Sequence, residues 1–138
     1  MHLHGVTVLV DDFDTAIRHY VEDLGFRLIE DTDLGAGKRW VRVAPGPQGS
    51  CLLLAVASTD EQRAAIGRQA GGRVGFFLHT ADFAGDHARL VARGVRMTEV
   101  PRREPYGTVV VFEDRYGNRW DLIEPADGRL QDDFAGRE

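Results

Sequence analysis

The chain repeats itself, and that constrains its fold more than any other feature. GVTVLVDDF (Gly5 to Phe13) lies over GFFLHTADF (Gly75 to Phe83) at an offset of 75 − 5 = 70 residues. Each copy reads as an apolar strand, a polar turn and an Asp-Phe pair that opens a helical pattern. In the first half Phe13, Ala16, Ile17, Tyr20, Val21 and Leu24 recur at helix spacing, and Gly25 follows as a stop. In the second half Phe83, His87, Leu90 and Val91 share one face, and Gly94 stops the pattern. Two unit-sized repeats in 138 residues predict duplicated supersecondary units rather than one continuous sheet.

The rest of each half reads as strands. A weak extended stretch (Arg27–Glu30), RWVRV (Arg39 to Val43) and CLLLAV (Cys51 to Val56) follow the first helix. Arg96–Val100, TVVVF (Thr108 to Phe112) and RWDLI (Arg119 to Ile123) follow the second. The clusters APGPQG (Ala44 to Gly49) and RYGN (Arg115 to Asn118) separate the last two strands of each half. The expected fold class is therefore α+β. Two tandem β-α-β-β-β modules, 1–58 and 73–125, form curved mixed sheets around a cleft, with helices on the outer faces. Residues 59–72 form a linker with a short helix capped by Thr59 or Asp60, and 126–138 a polar tail in which Phe134 either docks or faces a partner chain. A concave junction between two repeats is a natural small-molecule site.

Specific stretches carry a resemblance. VLVDDFDTAIRHY (Val8 to Tyr20), LGF (Leu24 to Phe26), ARGV (Ala92 to Val95), PYG (Pro105 to Gly107) and FEDRYGNRWDLIE (Phe112 to Glu124) together resemble the vicinal oxygen chelate superfamily. That group includes glyoxalase I, extradiol dioxygenases, and fosfomycin- and bleomycin-resistance proteins. The resemblance covers about residues 3 to 125 and implies the fold without choosing one reaction. It also implies one divalent metal held by four side chains. The corresponding positions here are Gly5, Leu53, Gly75 and Asp121. SCLLLA (Ser50 to Ala55) over NRWDLI (Asn118 to Ile123) supports the pairing of Leu53 with Asp121, at an offset of 121 − 53 = 68. One carboxylate cannot supply the four to six donors of a stable divalent site. The expectation is no cofactor, with one divalent metal as the weaker alternative.

Strand alternation then places Thr7, Cys51, Leu53, Phe77, His79, Arg119 and Asp121 toward the cleft, and Trp120 and Leu122 toward the helix layer. Arg119 and Asp121 either pair with each other or orient a polar ligand, Arg119 then taking a carboxylate or phosphate. Trp40 is either a stacking wall or core. Tyr106 is a ligand contact at the cleft mouth by family resemblance. The candidate catalytic groups are His79, Asp121 and Glu104. His79 lies about 13 Å along its strand from Gly75, at roughly 3.3 Å per residue, too far to share a metal with Asp121. His4 reaches the ligand position only by a one-residue slip that would turn Val6, Val8 and Val10 away from the helix layer. His87 reads as a satisfied, half-buried histidine and His19 as an exposed one. Cys51 reads as an inert buried thiol.

Composition narrows the partners. The net charge is −5 and no basic run stands out, which argues against nucleic acid and anionic membrane. No apolar run approaches the roughly 20 residues of a membrane span, and no secretory leader pattern opens the chain. The lone cysteine, Cys51, forbids an internal disulfide and points to the cytoplasm. The leading functional expectation is a small-molecule-binding protein of the bleomycin-resistance type with a metal-free cleft, acting as a homodimer on a small organic ligand. The alternative is a divergent lyase, isomerase or dioxygenase, metal-dependent or acid/base.

Overall fold

Strand propensity concentrates in short Val- and Leu-rich runs that alternate with polar turns. In the computed structural model, which describes residues 1–126, these runs form two sheets. Phe134 and the rest of 127–138 lie outside the described residues. The chain divides into two compact units, Met1–Gln69 and Ala70 onward.

The first unit contains β1 (Gly5–Val10), α1 (Phe13–Arg18), β2 (Arg27–Gly35), β3 (Lys38–Ala44), β4 (Cys51–Val56) and α2 (Asp60–Ala65). Its sheet runs β1-β4-β3-β2. β1 pairs with β4 in parallel, and the other pairings are antiparallel. The second unit contains β5 (Val74–His79), α3 (Phe83–Ala92), β6 (Arg96–Met97), β7 (Arg102–Glu104), β8 (Gly107–Glu113) and β9 (Arg119–Pro125). Its sheet runs β5-β9-β8-β6, with β7 also paired to β8. Again the first and last strands pair in parallel. The predicted repeat is thus visible in hydrogen-bond register. Thr7 sits opposite Leu53 and Phe77 opposite Asp121, so offsets of 70 and 68 describe the same place in each unit.

Several boundaries depart from the sequence expectation. The first helix does not run evenly to Leu24. After Arg18 it widens over His19–Asp23, where the Leu24 amide reaches back five residues to the His19 carbonyl at 3.1 Å. The widened turn buries His19, expected to be exposed, and places its Nδ1 3.0 Å from Asp23 Oδ2. β2 extends to Gly35 because its pairing with β3 continues. Val91, expected on the buried face of α3, is 51% exposed. The stretch Arg96–Val100 is a strand only at its first two residues. The pairing with β8 resumes at Arg102–Glu104, turning through Pro105-Tyr106. The second unit therefore has one strand more than β-α-β-β-β. The linker helix covers Asp60–Ala65, and Thr59 is its cap, accepting the Gln62 amide at 3.1 Å.

Each sheet carries its core on one face. In β9, Trp120 and Leu122 are almost wholly buried. Trp120 stacks between Phe76 and Phe112, with ring centroids 4.2 and 6.0 Å away. Glu124, on the same face, accepts the Phe83 amide at 3.0 Å and so secures the start of α3. The turn before β9 is closed by buried Asp114. Its carboxylate accepts from the amides of Tyr116 and Asn118, the Asn118 side chain and the Trp120 indole, at 2.9–3.1 Å. This knot fixes which way Trp120 faces, and strand alternation then fixes that Asp121 faces the opposite way.

Candidate functional site

The face of the second sheet opposite α3 holds Phe77, His79, Arg119 and Asp121, as alternation predicted. Phe77 is 63% exposed and His79 is exposed. Asp121 is different. One of its carboxylate oxygens, Oδ1, is buried and, among the described residues, has no hydrogen-bond partner. A buried acceptor without a donor is costly and rare. Burial raises the Asp121 pKa above the ordinary carboxylate range. The nearby positive charge of Arg102 opposes the shift, and Glu99 adds to it.

Arg119 and Asp121 were read as either pairing with each other or orienting a polar ligand, and the structure sets Arg119 against a different carboxylate. Arg119 Nε faces Glu113 Oε1 at 3.6 Å, across the β8–β9 pair. Two residues on one strand with the same parity lie about 6.6 Å apart at Cα, and Glu113 sits directly opposite Arg119 on the neighbouring strand. The cation whose charge acts on Asp121 is Arg102, on the unforeseen strand β7. Arg102 is itself occupied. Its Nη1 donates to Glu104 at 2.7 Å, and its Nε donates to both Glu99 oxygens at 3.1 and 3.2 Å. These bonds hold it protonated above its ordinary range. Glu104 is therefore an anchor for Arg102, which leaves it poorly placed as a free general base. Glu99 also accepts the Val111 amide at 3.1 Å, and Val111 is the β8 partner of Asp121.

The first unit places its charge elsewhere. Thr7 is exposed, Leu53 half-buried and Cys51 buried. Arg42, the β3 partner of Leu53, donates to Glu30 at 2.9 Å, to His4 Nε2 at 3.3 Å and to the Cys51 thiol at 3.7 Å. Cys51 and then Glu30 raise the Arg42 pKa. Trp40, two residues from Arg42, is 43% exposed and so is not core. A shallow depression at the β2–β3 tip, lined by Asp31, Asp33 and Arg39 among others, contains none of the residues expected from sequence.

The donor set does not fit the four-ligand metal that the resemblance implies. A Cβ on Gly5 would lie 2.9 Å from the Cys51 sulfur and 3.0 Å from its carbonyl oxygen. A side chain there would have to displace the Cys51 sulfur and press on its carbonyl. A Cβ on Gly75 would meet that of Ala70 at 3.2 Å, and Leu53 carries no donor. The register of β1 keeps Val8 and Val10 buried, so the slip that would bring His4 into line does not occur. Among the described residues no three of His, Cys, Asp and Glu group closely enough to hold a metal.

Arg102 and Glu99 were missed in the sequence. The available signal was Glu-x-x-Arg-x-Glu (Glu99 to Glu104) followed by a Pro-Tyr turn into Gly107. Alternating opposite charges running into a two-residue turn mark a hairpin arm. Gly107 permits that turn to close against β9. A Cβ there would lie 2.2 Å from the Glu124 carbonyl oxygen.

The chain is similar to known proteins in sequence and in fold. A protein of Shewanella frigidimarina is 50% identical over 121 residues, spanning 86% of this chain and 90% of its own. The crystal structure of UcmS2 superposes with a TM-score of 0.77 at 29% identity, covering 90% of this chain and 98% of that one. TnmS3, an antibiotic binding protein from Streptomyces sp. CB03234, gives a TM-score of 0.75 at 32% identity over 91% and 97% of the two chains. Among the described residues no helix is long and apolar enough to cross a membrane. The family model for the Glyoxalase/Bleomycin resistance protein/Dioxygenase superfamily matches residues 2–122, and the chain belongs to that superfamily.

Proposed function

We infer that this protein binds a small organic ligand without using a metal, and that Asp121 is the polar anchor of the binding face. The observation that carries this reading is the buried Asp121 oxygen with no partner among the described residues. A carboxylate left in that state gains from any donor that a ligand brings within reach of it. Exposed Phe77 on the adjacent strand, opposite Asp121, offers an aromatic surface beside it. A flat aromatic ligand carrying a hydroxyl or amine donor suits such a face. The likeness to an antibiotic binding protein supports the same class. The protein acts in the cytoplasm as a homodimer, each copy presenting the same face.

The test compares chelator-treated and untreated protein by titration calorimetry against a panel of polycyclic aromatic antibiotics with phenol or amine groups. Substoichiometric metal in the purified protein and equal binding in both preparations are expected. One tightly held divalent ion per chain, lost in Asp121→Ala together with all binding, would overturn the reading.

A further inference from the structure

The free edge of β1 is closed by a side chain. β1 is the terminal strand of its sheet, paired only with β4. The carbonyls of His4 and Val10 accept from the amides of Cys51 and Ala57, on the β4 side. Alternation therefore turns the amides and carbonyls of Thr7 and Leu9 outward. An outward row of this kind is a template for another strand. Here Gln69 occupies it. Its Oε1 accepts the Leu9 amide at 2.8 Å and its Nε2 donates to the Thr7 carbonyl at 2.9 Å. One primary amide thus makes both bonds that a neighbouring strand would make at these two residues.

The local sequence delivers Gln69 there by a defined turn. After α2, Ile66 adopts φ −56, ψ 124 and Gly67 φ +74, with the Arg68 amide bonded to the Ala65 carbonyl at 2.8 Å. These are the angles of a type II β-turn, whose third position favours glycine. The turn reverses the chain after α2, which lies against β1, and sets Gln69 on the strand edge.

We propose that Gln69 is an edge guard that excludes the β1 edge from pairing with a strand of a second copy of this chain. The Thr7 carbonyl and the Leu9 amide, already bonded to Gln69, are closed to a strand of a second copy. This inference rests on bonds within the first unit and is independent of the ligand reading. The test uses the full chain with Gln69→Ala and Gln69→Glu, read by amide hydrogen exchange and sedimentation velocity. Circular dichroism establishes that each variant is folded. In Gln69→Ala the Leu9 amide should exchange about tenfold faster, the equivalent of one lost hydrogen bond, while Val8 and Val10 keep their protection. Gln69→Glu keeps the acceptor for Leu9 but sets an oxygen against the Thr7 carbonyl, so its Leu9 exchange should lie between the two. At raised concentration Gln69→Ala should form heavier species absent from the unmodified protein. Unchanged Leu9 exchange, or an unchanged sedimentation profile across the same concentrations, would overturn the proposal.

Discussion

Replacing Asp121 by leucine should strengthen the fold and weaken binding at the same time. Leucine is what the repeat places at the equivalent position, Leu53, opposite Thr7. The substitution removes a buried acceptor that lacks a donor among the described residues and leaves an apolar side chain of similar size. An unmet buried polar group costs about 1–3 kcal/mol, so Asp121→Leu should be more stable by about that amount at neutral pH. For a chain of this length, at about 4 °C per kcal/mol, Tm should rise by roughly 4–12 °C. The gain depends on pH with a definite sign. Burial raises the folded-state pKa of Asp121. Its unfavourable effect is therefore absent below the unfolded value of about 3.9 and grows as pH rises through the folded value. Calorimetric scans of both proteins between acid and neutral pH should converge at the acid end and separate above it. Ligand affinity should move the other way. A hydrogen bond to a charged group contributes about 1.5–3 kcal/mol, so Kd should rise roughly 10- to 150-fold. Stability gained where function is lost marks a residue kept for binding. A variant that is less stable than the parent at neutral pH, or that binds as tightly, would refute the argument.

Other perturbations follow from the same bonds. Asp114→Ala removes the acceptor for four donors around the β8–β9 turn. It should cost about 3–4 kcal/mol, seen as a lower urea midpoint with altered Trp120 fluorescence. Gly107→Ala drives a Cβ into the Glu124 carbonyl. It should destabilise the second unit by more than about 2 kcal/mol, with exchange protection lost first in β7 and β8. Arg102→Met removes the positive charge that opposes the shift at Asp121 and should raise the Asp121 pKa further, measurable by carboxyl carbon NMR titration.

What the sequence disclosed and what it hid divide along a physical line. The repeat, the strand faces and the pairing of Leu53 with Asp121 follow from alternation along one strand and from offsets along one chain. Both are one-dimensional properties, so Trp120 and Asp121 could be assigned to opposite faces before any contact was known. The partners of Asp121 could not. Arg119 is its neighbour in sequence and shares its face, yet Glu113, opposite it across the β8–β9 register, holds it instead. Arg102 acts on Asp121 from a strand that exists only because Pro105-Tyr106 turns and Gly107 tolerates a carbonyl at contact distance. Cross-strand pairing is set by turn length and register, and a single residue of slip exchanges every partner. The same reasoning applies to Gln69, a polar residue in a polar linker whose role appears only when a type II turn sets it beside Thr7 and Leu9. In both cases the backbone that brings the groups together is fixed by a glycine, and the side chain that answers it lies far away in sequence. A sequence reading that sought unpaired backbone edges and asked which amide or guanidinium a nearby glycine turn could deliver would have a physical route to both.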